Sequence, residues 1–175
     1  THILSKDTRD SFFNPTDGYR WRFENTIAGI GGDANFYKSV FNLKSYYPID
    51  FGEYIFGLKT GLGFITSFDD KITSSNRFRL GGKSIRGFDN AGLGPRDVGN
   101  NQAVGGNNFY NLSLELKSDK LMPDDTGLKW FVFSDIGSIW GTDFKSGVRG
   151  YNDKEPRITN GFGLSMLTPI GPLEM

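Results

Sequence analysis

Arg86, in the tetrapeptide Ile85-Arg86-Gly87-Phe88, is the side chain best placed to do chemistry in this chain. Its chemistry is ion pairing. A guanidinium presents five N–H donors in a rigid planar fork and can bridge two carboxylates. Two acids could receive it, Glu115 in Tyr110–Lys117 and Asp135 in Leu128–Gly137, each on the polar parity of its segment. Gly87 would let the backbone turn sharply beside the arginine, and Phe88 would anchor the tip against an apolar wall. A second reading fits the same residues. Arg77, Arg79, Lys83, Arg86 and Arg96 outnumber Asp89 and Asp97 over positions 77–97. The segment therefore also fits a solvated basic loop touching anionic lipid headgroups.

Other constellations carry less. A phosphate-binding loop built on Gly81-Gly82-Lys83-Ser84 would need glycine where Arg77 stands, and no apolar strand and helix flank it. Asn111-Leu112-Ser113 matches a glycosylation sequon but lies inside a strand pattern. The pairs Asp69-Asp70 and Asp124-Asp125 read as solvated loops rather than calcium ligands. Cysteine is absent and the one histidine is His2. That excludes disulfides, thiolate metal sites and cysteine nucleophiles, and it disfavours a histidine triad. No nucleophile–base pair emerges, so the chain is not expected to be an enzyme. No catalytic, metal-binding or cofactor-binding residue is assigned. Twenty basic residues balance twenty acidic ones, which gives no sign of a nucleic-acid partner.

The elements that must position Arg86 are strands. Glycine numbers 24 of 175 residues, about twice the usual share, and aromatics make up 15%, a β composition. Alternation of period two runs through Tyr19–Ile27, Tyr37–Tyr47, Tyr54–Phe64, Tyr110–Lys117, Leu128–Gly137 and Ile158–Met166. Ile3–Thr8 reads as the end of an earlier strand and Leu173–Met175 as the start of a later one. Turn chemistry at Asn14–Gly18, Tyr47–Asp50, Met122–Asp125 and Thr168–Pro172 alternates with long polar links at 29–35, 65–107 and 141–157. Short turns at one end and long loops at the other, with strands of about ten residues, fit a transmembrane barrel. A soluble sandwich or lipocalin-like barrel gives the same alternation with its apolar face inward. Strands of this length weigh against that alternative. A start at Thr1 without methionine or signal peptide suggests an excised or mature piece.

The motif residues also carry a family resemblance. Gly81–Phe88 resembles the arginine-glycine-aromatic signature of the bacterial surface antigen superfamily, the family of BamA-type outer-membrane assembly factors. Asp7–Asp10 with Asn14–Gly18 is similar to that family's approach to a barrel strand, and Gly92–Arg96 to the continuation of its long loop. Gly105–Asn107, Leu112–Glu115, Phe133–Trp140 and Ser165–Leu173 resemble its later blocks, in the same order. The resemblance implies an all-β, antiparallel transmembrane barrel, here six to seven strands of the C-terminal part of a sixteen-stranded one. Residues 1–175 would form the partial barrel domain, with a loop of about 65–107 folded inward. Arg86 would pair in the lumen with Glu115 and Asp135. The implied function is insertion and folding of client outer-membrane proteins in the bacterial outer membrane. Its implied partners are those clients, the lipid bilayer and other assembly-machinery lipoproteins, the last mainly through periplasmic domains. A TamA-type or two-partner-secretion paralogue, or a passive pore or adhesin, is the alternative. One count resists: a plain hairpin across Ser118–Gly127 puts Glu115 opposite a residue near Trp130, not Asp135.

Overall fold

The computed structural model describes residues 1–29, 35–68, 71–120, 122–123, 127–144, 146–168 and 171–174. The pairs Asp69-Asp70 and Asp124-Asp125 lie outside the described residues. The fold is an antiparallel meander. Its strands are β1 (His2–Asp7), β2 (Gly18–Ala28), β3 (Phe36–Ile49), β4 (Tyr54–Ser67), β6 (Asn108–Ser118), β7 (Leu128–Trp140), β9 (Arg157–Thr168) and β10 (Gly171–Glu174). They pair in that order into one eight-stranded sheet. Two dipeptides, β5 (Arg96–Asp97) and β8 (Val148–Arg149), form a separate ribbon. Six strands of the sheet run 11 to 14 residues, longer than most strands of soluble domains. The sheet is open, with β1 and β10 at its edges.

Period-two alternation separates the faces. One carries Leu4, Ile27, Leu62, Phe64, Val132, Ile158 and Phe162, all solvent-exposed, with Phe162 at 87%. The other carries Lys44, Lys59, Ser113, Glu115 and Asp135, brought side by side by the register. This inverts a soluble sheet, whose apolar face is the covered one. The largest buried apolar cluster is therefore not between layers. It lies where the loop after β4 meets the polar face: Leu80, Ile85, Leu93 and Ile139, with Phe78, Phe88 and Phe109 packed around them.

Two connections differ from the sequence expectation. The hairpin predicted across Ser118–Gly127 is displaced by three positions: Ser118 pairs with Trp130, and Glu115 with Phe133. Side chains form hydrogen bonds at the mouth of this turn. The Ser118 hydroxyl donates to the Glu53 carbonyl at 2.6 Å, and Trp130 Nε1 donates to the Lys120 carbonyl at 2.7 Å. Gly171 and Pro172, predicted as turn, instead open β10 opposite Thr168 and Leu167. An edge strand tolerates a proline that has no N–H to give the ladder.

Candidate functional site

β4 ends at Ser67 and β6 begins at Asn108, and the connection between them is folded rather than loose. Bridges join Phe78 to Gly106, Leu80 to Leu93 and Arg96 to Ala103. Its β5 dipeptide pairs with β8 in the next long connection. The connection lies on the polar face of the sheet. Lys38 on β3 donates to the Asn76 carbonyl at 2.9 Å, and its ammonium stands 4.5 Å from the Phe78 ring centroid.

At the tip, Ile85 is fully buried. Its Cδ1 comes within 2.7 Å of where a β-carbon on Gly137 would stand. A β-carbon there would also stand 2.9 Å from the Tyr110 carbonyl oxygen, so a larger residue at position 137 would force the Ile85 side chain or the local backbone to shift. The next residue delivers the charge. Arg86 donates through Nε to Asp135 Oδ2 at 2.9 Å, through Nη2 to Asp135 Oδ1 at 2.8 Å, and through Nη1 to Glu115 Oε2 at 2.7 Å. Nη2 also donates to the Ser113 hydroxyl at 2.9 Å, and the Arg86 backbone N–H donates to Asp135 Oδ2 at 2.9 Å. The structure thus brings Arg86, Glu115 and Asp135 together. Gly87 follows at φ +85°, and Phe88 packs on the apolar cluster.

Register explains why one guanidinium reaches both acids. Ser113 stands directly opposite Asp135, so Glu115 is the diagonal neighbour of Asp135 on the same face. Diagonal positions lie about 7–8 Å apart, a gap that a fork can fill. The three-residue displacement of the β6–β7 turn creates this arrangement. The Asp135 side chain is 1% exposed, Glu115 6% and Arg86 21%. A buried carboxylate is costly unless paired and hydrogen-bonded. Glu115 has further cations nearby, Lys59 at 3.6 Å and Lys117 at 3.8 Å.

Several contributors escaped the sequence reading. The Phe133 ring lies 3.7 Å from the Arg86 guanidinium carbon, and Phe131 lies 5.8 Å away. Both phenylalanines share the parity of Asp135. Apolar rings beside the charged residues of that face were the available signal. Gly161, opposite Phe133, leaves room for that ring, which would stand 2.5 Å from a β-carbon there. Ser113 and Lys59 could have been found only with the register in hand. Among the described residues no cluster of His, Cys, Asp and Glu is suited to hold a metal ion. The geometry can fix a loop to a wall.

The Omp85 superfamily domain matches residues 1–175. The chain belongs to the Omp85 superfamily. Within it, the outer membrane protein assembly factor BamA of Neorickettsia risticii is 34% identical over 176 residues, all of this chain and 23% of that protein. The sorting assembly machinery 50 kDa subunit of Saccharomyces cerevisiae is 28% identical over 185 residues, covering 99% of this chain and 37% of that protein. The crystal structure of BamA from Haemophilus ducreyi lacking POTRA domains 1–3 matches with a TM-score of 0.83. It is 25% identical and covers 98% of this chain and 37% of that one. The chain thus spans between 23% and 37% of the length of these Omp85 relatives.

Proposed function

We propose that this chain is the C-terminal wall of a transmembrane barrel in an outer-membrane protein assembly factor. The whole protein folds and inserts client β-barrel proteins, in a bacterial outer membrane. The observation that carries the reading is the inverted sheet. Its apolar face is exposed, as lipid contact requires, while its polar face is covered by a loop that Arg86 fixes to Glu115 and Asp135. The names borne by relatives matching the full chain supply the activity.

In this reading the polar face lines the barrel interior and the loop lies folded inward. No bond is made or broken. The docked loop stiffens the wall while client strands pair with strand edges of the complete barrel. Clients and lipid are the partners of this portion, and assembly-machinery lipoproteins would meet other domains. The test uses the full-length protein in liposomes, with an unfolded client barrel added from denaturant and its folding read as heat-modifiable migration. Wild-type protein should accelerate client folding, and Arg86→Ala should remove most of that acceleration. Ion conductance without any acceleration would identify a passive pore. Unchanged acceleration by Arg86→Ala would remove the loop from the mechanism.

A further inference from the structure

We infer that Arg77 is a second loop-positioning residue, which acts through Asp143 to clasp the root of the long loop independently of Arg86. The Arg77 side chain is fully buried, although it belongs to a connection and not to a strand. Its Nη2 donates to the Ile72 carbonyl at 2.7 Å and to Asp143 Oδ2 at 3.4 Å. Its guanidinium carbon stands 4.8 Å from the Phe144 ring centroid. Asp143 and Phe144 belong to the connection after β7, so Arg77 ties two separate loops together.

The carboxylate does more than balance a charge. Asp143 Oδ2 accepts the Ile72 backbone N–H at 2.9 Å, and Asp143 Oδ1 accepts Asn107 Nδ2 at 3.1 Å. Ile72 lies near the start of the long loop, and Asn107 is its last residue before β6. One side chain therefore gathers both ends of the loop and the arginine between them. The Asn107 N–H donates to the Gly141 carbonyl at 2.7 Å and strengthens the same junction. Closing a long loop is entropically costly, and a cross-link at its ends reduces the conformations open to everything between.

The cost of this arrangement is visible. Arg77 Nε and Nη1 are buried without hydrogen-bond partners. A buried unsatisfied donor destabilises its surroundings. An unbranched apolar side chain such as methionine would fill much of the space without that penalty. What methionine could not do is hold Asp143 where it collects Ile72 and Asn107. The guanidinium is thus a positioning group. The clasp shares no side chain with the Arg86 site, so each can open alone.

Hydrogen exchange on the full-length protein tests this, with β3 and β4 amides as the fold control. Arg77→Ala should speed exchange about tenfold or more at residues 71–80 and 141–144, while the Arg86 amide stays protected. Arg86→Ala should give the reverse pattern. Arg77→Met should behave like Arg77→Ala, and Asp143→Asn should loosen the same two segments should the arginine variants fail to fold. Full protection in Arg77→Met would overturn the inference, because packing alone would then suffice. Release of the Arg86 amide by Arg77→Ala to the extent seen in Arg86→Ala would also overturn it, because there would be one lock and not two. These readouts do not depend on client assembly.

Discussion

Two arginines hold the long loop, and they do so on opposite terms. Arg86 at the tip is sandwiched between two carboxylates and a phenylalanine face, and its backbone N–H also reaches Asp135. Arg77 at the root is more deeply buried, yet it has one carboxylate at 3.4 Å and two unpaired nitrogens. The tip lies against a sheet wall whose register is fixed by ladder hydrogen bonds. The root lies between loops that must find each other. Rigid strands can hold several partners in place for one cation. Loops gather around the cation and leave some of its donors unmet.

The sharpest way to break this comparison is to remove each cation in turn. Arg86→Ala leaves Asp135 buried without its ion-pair partner, so loop docking should lose about 3–5 kcal/mol. Arg77→Ala removes unmet donors along with the met ones, so its net cost should be smaller, about 1–2 kcal/mol. Tryptic cleavage within the loop of the full-length protein, followed against time, would rank the two. Equal susceptibility would erase the distinction between tip and root.

Within the tip, the two acids should prove unequal. Asp135 accepts three N–H groups of Arg86 and is almost fully buried, whereas Glu115 accepts one and has Lys59 and Lys117 beside it. Asp135→Asn should therefore destabilise docking by about 2–3 kcal/mol and Glu115→Gln by about 1 kcal/mol, read as heat-modifiability midpoints. Phe133→Leu keeps the charges and removes the ring face. Its loss should be about 0.5–2 kcal/mol by the same assay, and an unchanged midpoint would show that the stack contributes nothing.

The smallest effect lies at the opposite end of the sheet, in the β1–β2 connection. Asp10 accepts the Thr16 hydroxyl at 2.5 Å, the Thr16 N–H at 2.9 Å and the Asp17 N–H at 3.2 Å. The Thr16 hydroxyl, followed by the backbone N–H groups, holds its carboxyl down to about 2. A depressed folded value means the stabilisation is complete above the ordinary carboxylate range and is lost as pH falls through about 2. Asp10→Asn should lower turn protection slightly at neutral pH, with the difference from wild type shrinking between pH 4 and 2. Solvent exposure keeps the effect small. A difference independent of pH would assign the turn to shape and not charge.

Much of the fold was legible locally. Tyr110, Leu112, Leu114 and Leu116 alternating with Asn111, Ser113, Glu115 and Lys117 announce a strand and its two faces, because side chains alternate every residue. The same parity placed Glu115 and Asp135 on polar faces. It could not align them. A turn of unknown width separates β6 from β7; the observed pairing of Ser118 with Trp130 is three positions wider than a plain hairpin, and both residues make side-chain hydrogen bonds to partners 65 and 10 residues away. The Arg77–Asp143 clasp was invisible for a related reason: its partners are 66 residues apart and follow no period.

The sequence by itself determined the six long strands, their two faces and the absence of cysteine chemistry, because alternation and composition are properties of neighbouring residues. Only the tertiary structure decided that the loop packs on the polar face and that Arg86 lies between a diagonal pair of acids. It also decided that a second arginine closes the loop at its root. Those features depend on register and on loop closure, which are fixed by contacts between distant segments.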